Sequence, residues 1–368
     1  MAELLKNTYS REYLNQLSND IWSVYPEFQS NEFVESVMSE PWSELELKGR
    51  VRQITLNLGK FLPSDYCAAI EILDKAILKR GSWLNRFARF LSDFVEVFGQ
   101  NEADWDVSIA ALERYTSIAP AEFAVRPFIL NNQERMMAQM YEWSKSENEH
   151  VRRLASEGCR VKLPLGSLIP AFKQDPTPIF TILEQLKSDP SELVRRSVAN
   201  NLNDISKIHP KLVLKLAKDW LGESKHTNQL VRRACRTLLK IGDVETLELL
   251  GYDNVDCAEI SNFRLKNRVV TIGDDFEFSF DILVKKEAKI RLEYTVDFAK
   301  ANSRWTQRTF YIMETQFNEN EQRTYREKLT FRNHRRRVNH PGMHTVRLIV
   351  NGVQLKAAHF EVIARGMM

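Results

Sequence analysis

Three carboxylates stand in segments that are otherwise basic. Glu122 lies in Ala121-Glu122-Phe123-Ala124-Val125-Arg126-Pro127-Phe128, Glu157 in Arg153-Leu154-Ala155-Ser156-Glu157-Gly158-Cys159-Arg160, and Asp204 ends a segment that begins Val194-Arg195-Arg196. A carboxylate facing a phosphate backbone weakens binding, so its charge must serve an ion pair, a helix end or a reaction. The arginines around these acids recur. Val151-Arg152-Arg153, Val194-Arg195-Arg196 and Val231-Arg232-Arg233 begin three apolar-periodic segments at intervals of 43 and 37 residues. Cations repeated along one surface suit a polyanion such as nucleic acid. Within each pair, one arginine is expected to bond the neighbouring repeat and the other to face a groove. Arg160 and Lys162 beyond Arg153, and Arg236 beyond Arg232, extend the basic strip.

Other chemistries lack their usual residues. No Gly-rich phosphate loop, G-x-S-x-G elbow or H-E-x-x-H helix occurs. His340 and His344 are four apart, but Pro341-Gly342 between them forces a turn and argues against two metal ligands on one helix face. The nearby run Arg332-Asn333-His334-Arg335-Arg336-Arg337 reads either as a solvated loop or as a phosphate-neutralising one.

With 368 residues the chain has room for a large helical array and a second domain. Cys67, Cys159, Cys235 and Cys257 form no C-x-x-C pair, which disfavours a zinc ribbon or a secreted disulfide framework. No apolar run approaches the roughly twenty residues that span a bilayer, and Met1 to Glu12 lacks the apolar core of a signal peptide. A cytoplasmic protein without membrane contact is expected. Net charge is +3, unevenly shared: residues 255–368 hold 20 Lys+Arg against 14 Asp+Glu, so the C-terminal part is the basic one.

Positioning the three acids requires helices. Up to about Leu250 the apolar residues recur with helical spacing. Ser43-Glu44-Leu45-Glu46 reads as a capping box opening a helix toward Phe61, Pro63-Ser64-Asp65 starts the next, and Gly81 closes it. Further helices are predicted over Leu84–Phe98, Asp104–Ile118, Pro120–Leu130, Gln133–Ser144, Glu147–Val161, Pro178–Lys187, Ser191–Ile205, Pro210–Leu221 and Asn228–Ile241. Short turns alternate with them, which predicts antiparallel helix pairs of HEAT-like α-solenoid type over residues 1–254.

After Gly251-Tyr252 the period becomes two. Phe276, Phe278, Phe280 and Ile282 alternate with polar residues, as do Ile290 to Phe298 and Val346 to Val350, and Asn351-Gly352 is a strong hairpin signal. About seven short strands over residues 255–368 predict an all-β immunoglobulin-like sandwich, although no Cys…Trp…Cys spacing supports an antibody-like domain.

The Glu122 segment, the Arg153–Arg160 segment running on to Lys162-Leu163-Pro164, the Arg195–Asp204 helix and this layout resemble the AlkC branch of the AlkC/AlkD DNA alkylation repair glycosylases. The resemblance spans nearly the full chain, including the immunoglobulin-like domain that some members carry. It implies a monofunctional hydrolase for double-stranded DNA containing alkylated bases, excising 3-methyladenine and 3-methylcytosine without metal or organic cofactor and without drawing the base into a deep pocket. By similarity, Glu157 and Asp204 stand nearest the lesion sugar with Glu122 in support. Arg153, Arg160, Arg196, Arg233, Arg304, Arg335 and Arg336 are the expected DNA contacts, and a groove around duplex argues for a monomer. This chain has Leu165 where many relatives place a tryptophan, which puts a stacking contact there in doubt; Trp143 or Trp220 could compensate, although both fit a core role. The rival reading is a non-catalytic HEAT-repeat module for DNA binding or protein scaffolding, which keeps the arginines and needs none of the acids.

Overall fold

The computed structural model describes residues 5–300, 304–334 and 338–364. Two compact units divide the chain: Met1–Ile208 with Leu221–Ala234, and His209–Trp220 with Cys235–Met368. The first is helical. The second holds three helices, Pro210–Trp220, Arg236–Ile241 and Val244–Leu249, before its strands begin at Ala258.

In the first unit the predicted helical periods become helices wherever tertiary contacts leave the backbone free. Asp65 caps Tyr66–Ile77 by accepting from the Ala68 amide at 2.7 Å, and Gln133–Trp143 lies where it is expected. The helices Glu149–Gly158 and Glu192–Ser206 pack against one another, and Glu192–Ser206 packs against Lys225–Ala234. The three arginine-bearing segments are therefore neighbours in series. Leu154, Ala155, Val198 and Leu202 fill the seam, each almost wholly buried.

Four local expectations are corrected. The capping box does not form: Ser43 lies in a turn, the Leu45 amide bonds Trp42 instead, and the helix starts at Leu47. Only Phe90–Phe98 of the helix expected from Leu84 is helical; before it the chain runs in turns, where the Trp83 and Phe87 carbonyls accept from the Asn85 and Arg89 amides as well as from the hydroxyls of Tyr13 and Tyr9 at 2.9 and 2.6 Å, and the Phe87 amide bonds Asn85 Oδ1. The helix expected from Pro120 starts at Val125. There Pro127 occupies the first turn and its missing N–H costs no helical bond. The segment from Asn228 to Ile241 is two helices broken at Cys235.

The second unit contains eight strands among the described residues: β1 Ala258–Leu265, β2 Val269–Thr271, β3 Asp275–Val284, β4 Ala288–Ala299, β5 Trp305–Phe317, β6 Glu321–Thr330, β7 Gly342–Val350 and β8 Val353–Ile363. One sheet runs β1-β3-β6 and the other β2-β8-β7-β4-β5, with only β2 and β8 parallel among these pairs. Strict alternation places Phe276, Phe278, Phe280 and Ile282 of β3 inside, where Phe276 stacks on Phe360 of the other sheet at 3.8 Å. The expected hairpin forms at Asn351-Gly352, both at positive φ, and sets Val350 opposite Val353. Gly352 is needed twice over, since a Cβ there would also come within 2.5 Å of the Gly242 Cα.

Candidate functional site

The helix Glu149–Gly158 ends sooner than its periodicity suggests, and that ending builds the site. Gly158 is pressed against neighbouring helices: a Cβ would lie 2.5 Å from Val125 Cγ2 and 2.9 Å from Met140 Cε. Past it the chain turns, so Arg160 falls back toward its own helix instead of continuing the arginine face. Its Nη1 donates to Glu157 Oε1 at 2.6 Å. Its Nε and Nη2 donate to Asp204 Oδ2 at 2.9 and 2.6 Å, reaching across to the end of Glu192–Ser206. One guanidinium thus joins two carboxylates from adjacent helices.

The remaining oxygens are also engaged. Ser197 Oγ donates to Glu157 Oε2 at 2.5 Å, and Lys207 Nζ bonds Asp204 Oδ1 at 2.8 Å. Glu157, Asp204 and Arg160 are only 7%, 6% and 8% exposed. Buried Arg160 counters both acids, and Lys207, itself exposed, meets Asp204 from the rim. Burial works to lower the Arg160 pKa, but the charge of Glu157 and the hydrogen bond to Asp204 outweigh it and hold the guanidinium above its ordinary value. Ser197, Lys207 and Asn201 carried no sequence signal beyond helical spacing. Asn201 donates to the Ser156 carbonyl at 2.9 Å and thereby links the two helices again. Cys159 beside them is no nucleophile, since burial pushes its thiol up to about 12.

Glu122 is 7% exposed and lies 3.4 Å from Nη1 of Arg153, which stands on the same helix as Glu157 and four residues before it. The structure joins Glu157, Asp204 and Arg160 by hydrogen bonds and pairs Glu122 with Arg153.

The arginine pairs divide as their helical positions require. Arg152 Nη1 donates to the carbonyls of Ser146 and Glu147, and Arg195 Nη1 to those of Asp189 and Pro190, the carbonyls six and five positions earlier in both repeats. Arg152 also grips buried Asp189 with two bonds of 2.6 and 3.1 Å. The first arginine of these two pairs is a brace. The second differs: Arg196 is exposed and meets Glu192 only at 4.0 Å, and Arg233 and Arg304 are likewise exposed. Arg335 and Arg336 lie outside the described residues. Trp143 and Trp220 are core residues, 2% and 1% exposed, whereas Leu165 is 81% exposed at φ +63°. No described helix is long and apolar enough to cross a membrane.

Comparison with known proteins places the chain as a whole. Residues 100–241 match the family described as DNA alkylation repair enzyme, and residues 259–364 match the C-terminal Ig-like domain of an uncharacterised protein, YhaZ. The uncharacterized protein YhaZ of Bacillus subtilis (strain 168) is 43% identical over 98% of this chain and 100% of its own length. Pseudomonas fluorescens alkylpurine DNA glycosylase AlkC, solved bound to DNA containing an abasic site analog, superposes with a TM-score of 0.93 at 32% identity, covering 98% of this chain and 100% of that one.

Proposed function

The chain belongs to the DNA alkylation repair enzyme family, in the AlkC branch with a C-terminal immunoglobulin-like domain, and on that premise we propose that it is a monofunctional alkylbase DNA glycosylase. Its proposed substrates are 3-methyladenine and 3-methylcytosine in double-stranded DNA. One observation carries the reading: a chain alike over 98% of its length to a glycosylase solved on DNA with an abasic site analog gathers Glu157 and Asp204 onto one guanidinium.

The chemistry asks for such acids. A base that already carries positive charge leaves without being protonated, taking the electron pair of its bond to C1′ and becoming neutral. An oxocarbenium-like sugar remains. Glu157 and Asp204 stabilise that charge and orient the water whose oxygen bonds C1′, and a carboxylate takes the proton that the water loses. Glu122 supports them through Arg153. Arg160 holds both acids in place, a different use from the phosphate contact expected of it. Phosphates fall to Arg153, Arg196, Arg233, Arg304, Arg335 and Arg336. The series of packed arginine-bearing helices supports reading the helical part as a HEAT-like solenoid, and a monomer gripping duplex is the proposed state.

A scaffolding or purely DNA-binding role has one observation in its favour, because the Arg160–Asp204 pair also serves simply to tie two helices together. Incubating the purified protein with methylated duplex and identifying the released bases separates the two. Release of 3-methyladenine and 3-methylcytosine above the spontaneous rate is expected; release at the spontaneous rate leaves the scaffold.

A further inference from the structure

Arg126 is wholly buried, and its hydrogen bonds go to main-chain carbonyls. It stands in the first turn of Val125–Asn131. Nη1 donates to the carbonyls of Gly158 and Arg160, each at 2.9 Å, and Nε donates to that of Ser167 at 2.7 Å. Those first two carbonyls flank the turn that carries Arg160 back onto Glu157. The third lies at the end of the loop through Leu165, whose own carbonyl accepts from Lys48 Nζ at 2.7 Å.

We propose that Arg126 is a positioning residue of the excision site, fixing through three carbonyls the backbone that sets Glu157, Arg160 and the Leu165 loop, without itself touching DNA. The proposal rests on the glycosylase reading. Three features argue for position over packing. Gly158 is already held against Val125 and Met140 by close contact, so Arg126 adds the second constraint that fixes the turn's direction. A buried guanidinium whose hydrogen bonds go to carbonyls of the main chain and not to a carboxylate is costly, and an apolar side chain would fill the same space at less cost. Burial pulls this guanidinium down to about 10, and the charge of Arg160 pushes the same way, so the fold tolerates two like charges near each other. What arginine supplies here is a rigid planar fork that reaches two separate backbone segments at once, which a lysine ammonium cannot reproduce.

The test uses the full-length protein and Arg126→Lys, which keeps the cation and is gentler on folding than truncation to alanine. Single-turnover excision from methylated duplex, corrected for the folded fraction, and affinity for duplex carrying an abasic-site analogue are measured together. The excision rate is expected to fall about 10- to 100-fold, since small misplacements of catalytic groups cost that much, while affinity stays within about two-fold. An unchanged rate overturns the proposal, as does a rate that returns to the wild-type value after that correction. Rate and affinity falling by the same factor also overturns it, because Arg126 then acts through binding. Failure of the underlying reading shows earlier and differently, as a wild-type protein that releases no alkylated base.

Discussion

Arg160 lays two N–H groups on a single oxygen of Asp204, at 2.9 and 2.6 Å, and keeps its third bond for Glu157. Nearly shielded from water, this arrangement fixes both acids in direction as well as charge. Charge-assisted contacts from a planar guanidinium hold geometry more tightly than a point charge does. The two carboxylates are thereby preorganised, which is what electrostatic stabilisation of a developing cation requires.

Removing one negative charge at a time tests that role. Glu157→Gln and Asp204→Asn keep shape and most hydrogen-bonding capacity while deleting charge. Single-turnover excision is expected to fall by about 10²-fold or more in each, in line with loss of one electrostatic stabiliser, with duplex affinity retained. Unchanged single-turnover rates in both variants would refute the assignment.

The two arginines of one pair should separate cleanly. Arg195→Ala removes the bonds to the Asp189 and Pro190 carbonyls and should cost about 1–3 kcal/mol of stability in urea unfolding, leaving the salt dependence of DNA binding unchanged. Arg196→Ala should leave stability alone and lower the slope of log affinity against log salt by about one. A swap of these two outcomes would mean that the wrong arginine faces the DNA.

His344 gives the second unit a sensitivity to acid. It is 1% exposed among Phe298, Phe331 and Phe360, with Nδ1 facing the Gly342 carbonyl at 2.9 Å and Nε2 facing the Ala299 amide at 3.4 Å. Burial holds its pKa below the usual 6.5, and the bond to Gly342 offsets only part of that. The unfolded chain therefore binds the proton first as pH drops, so the contribution of neutral His344 is present above 6.5 and is lost toward the lower folded value. Thermal unfolding between pH 7 and 5 should show a decline that His344→Gln flattens. An equal decline in both proteins would remove His344 as its cause.

Much of this molecule is legible in one dimension, because hydrophobic period is a local property. The alternation from Phe276 to Ile282 becomes β3, and Asn351-Gly352 becomes the hairpin its positive φ angles demand. Asp65 caps a helix as its type predicts. Ser43 and Leu84 fail as helix starts because other bonds satisfy the backbone there: the Leu45 amide turns to Trp42, the Phe87 amide to Asn85 Oδ1, and the hydroxyls of Tyr9 and Tyr13, distant in sequence, reach the Phe87 and Trp83 carbonyls. Local helical signals lose where a tight turn or a tertiary side-chain bond satisfies the backbone instead.

The same division runs through the site. Residue type and spacing marked Glu122, Glu157 and Asp204 as acids out of place among arginines, and told that each arginine pair has two jobs. Which arginine braces, that Arg160 turns inward instead of outward, and that Ser197, Lys207 and Arg126 belong to the same arrangement were decided by the packing of Glu149–Gly158 against Glu192–Ser206 and against the segment that carries Val125. The physical reason is range: periodicity and capping act within a few residues, whereas a buried charge finds its partner only when separate helices close around it and exclude water.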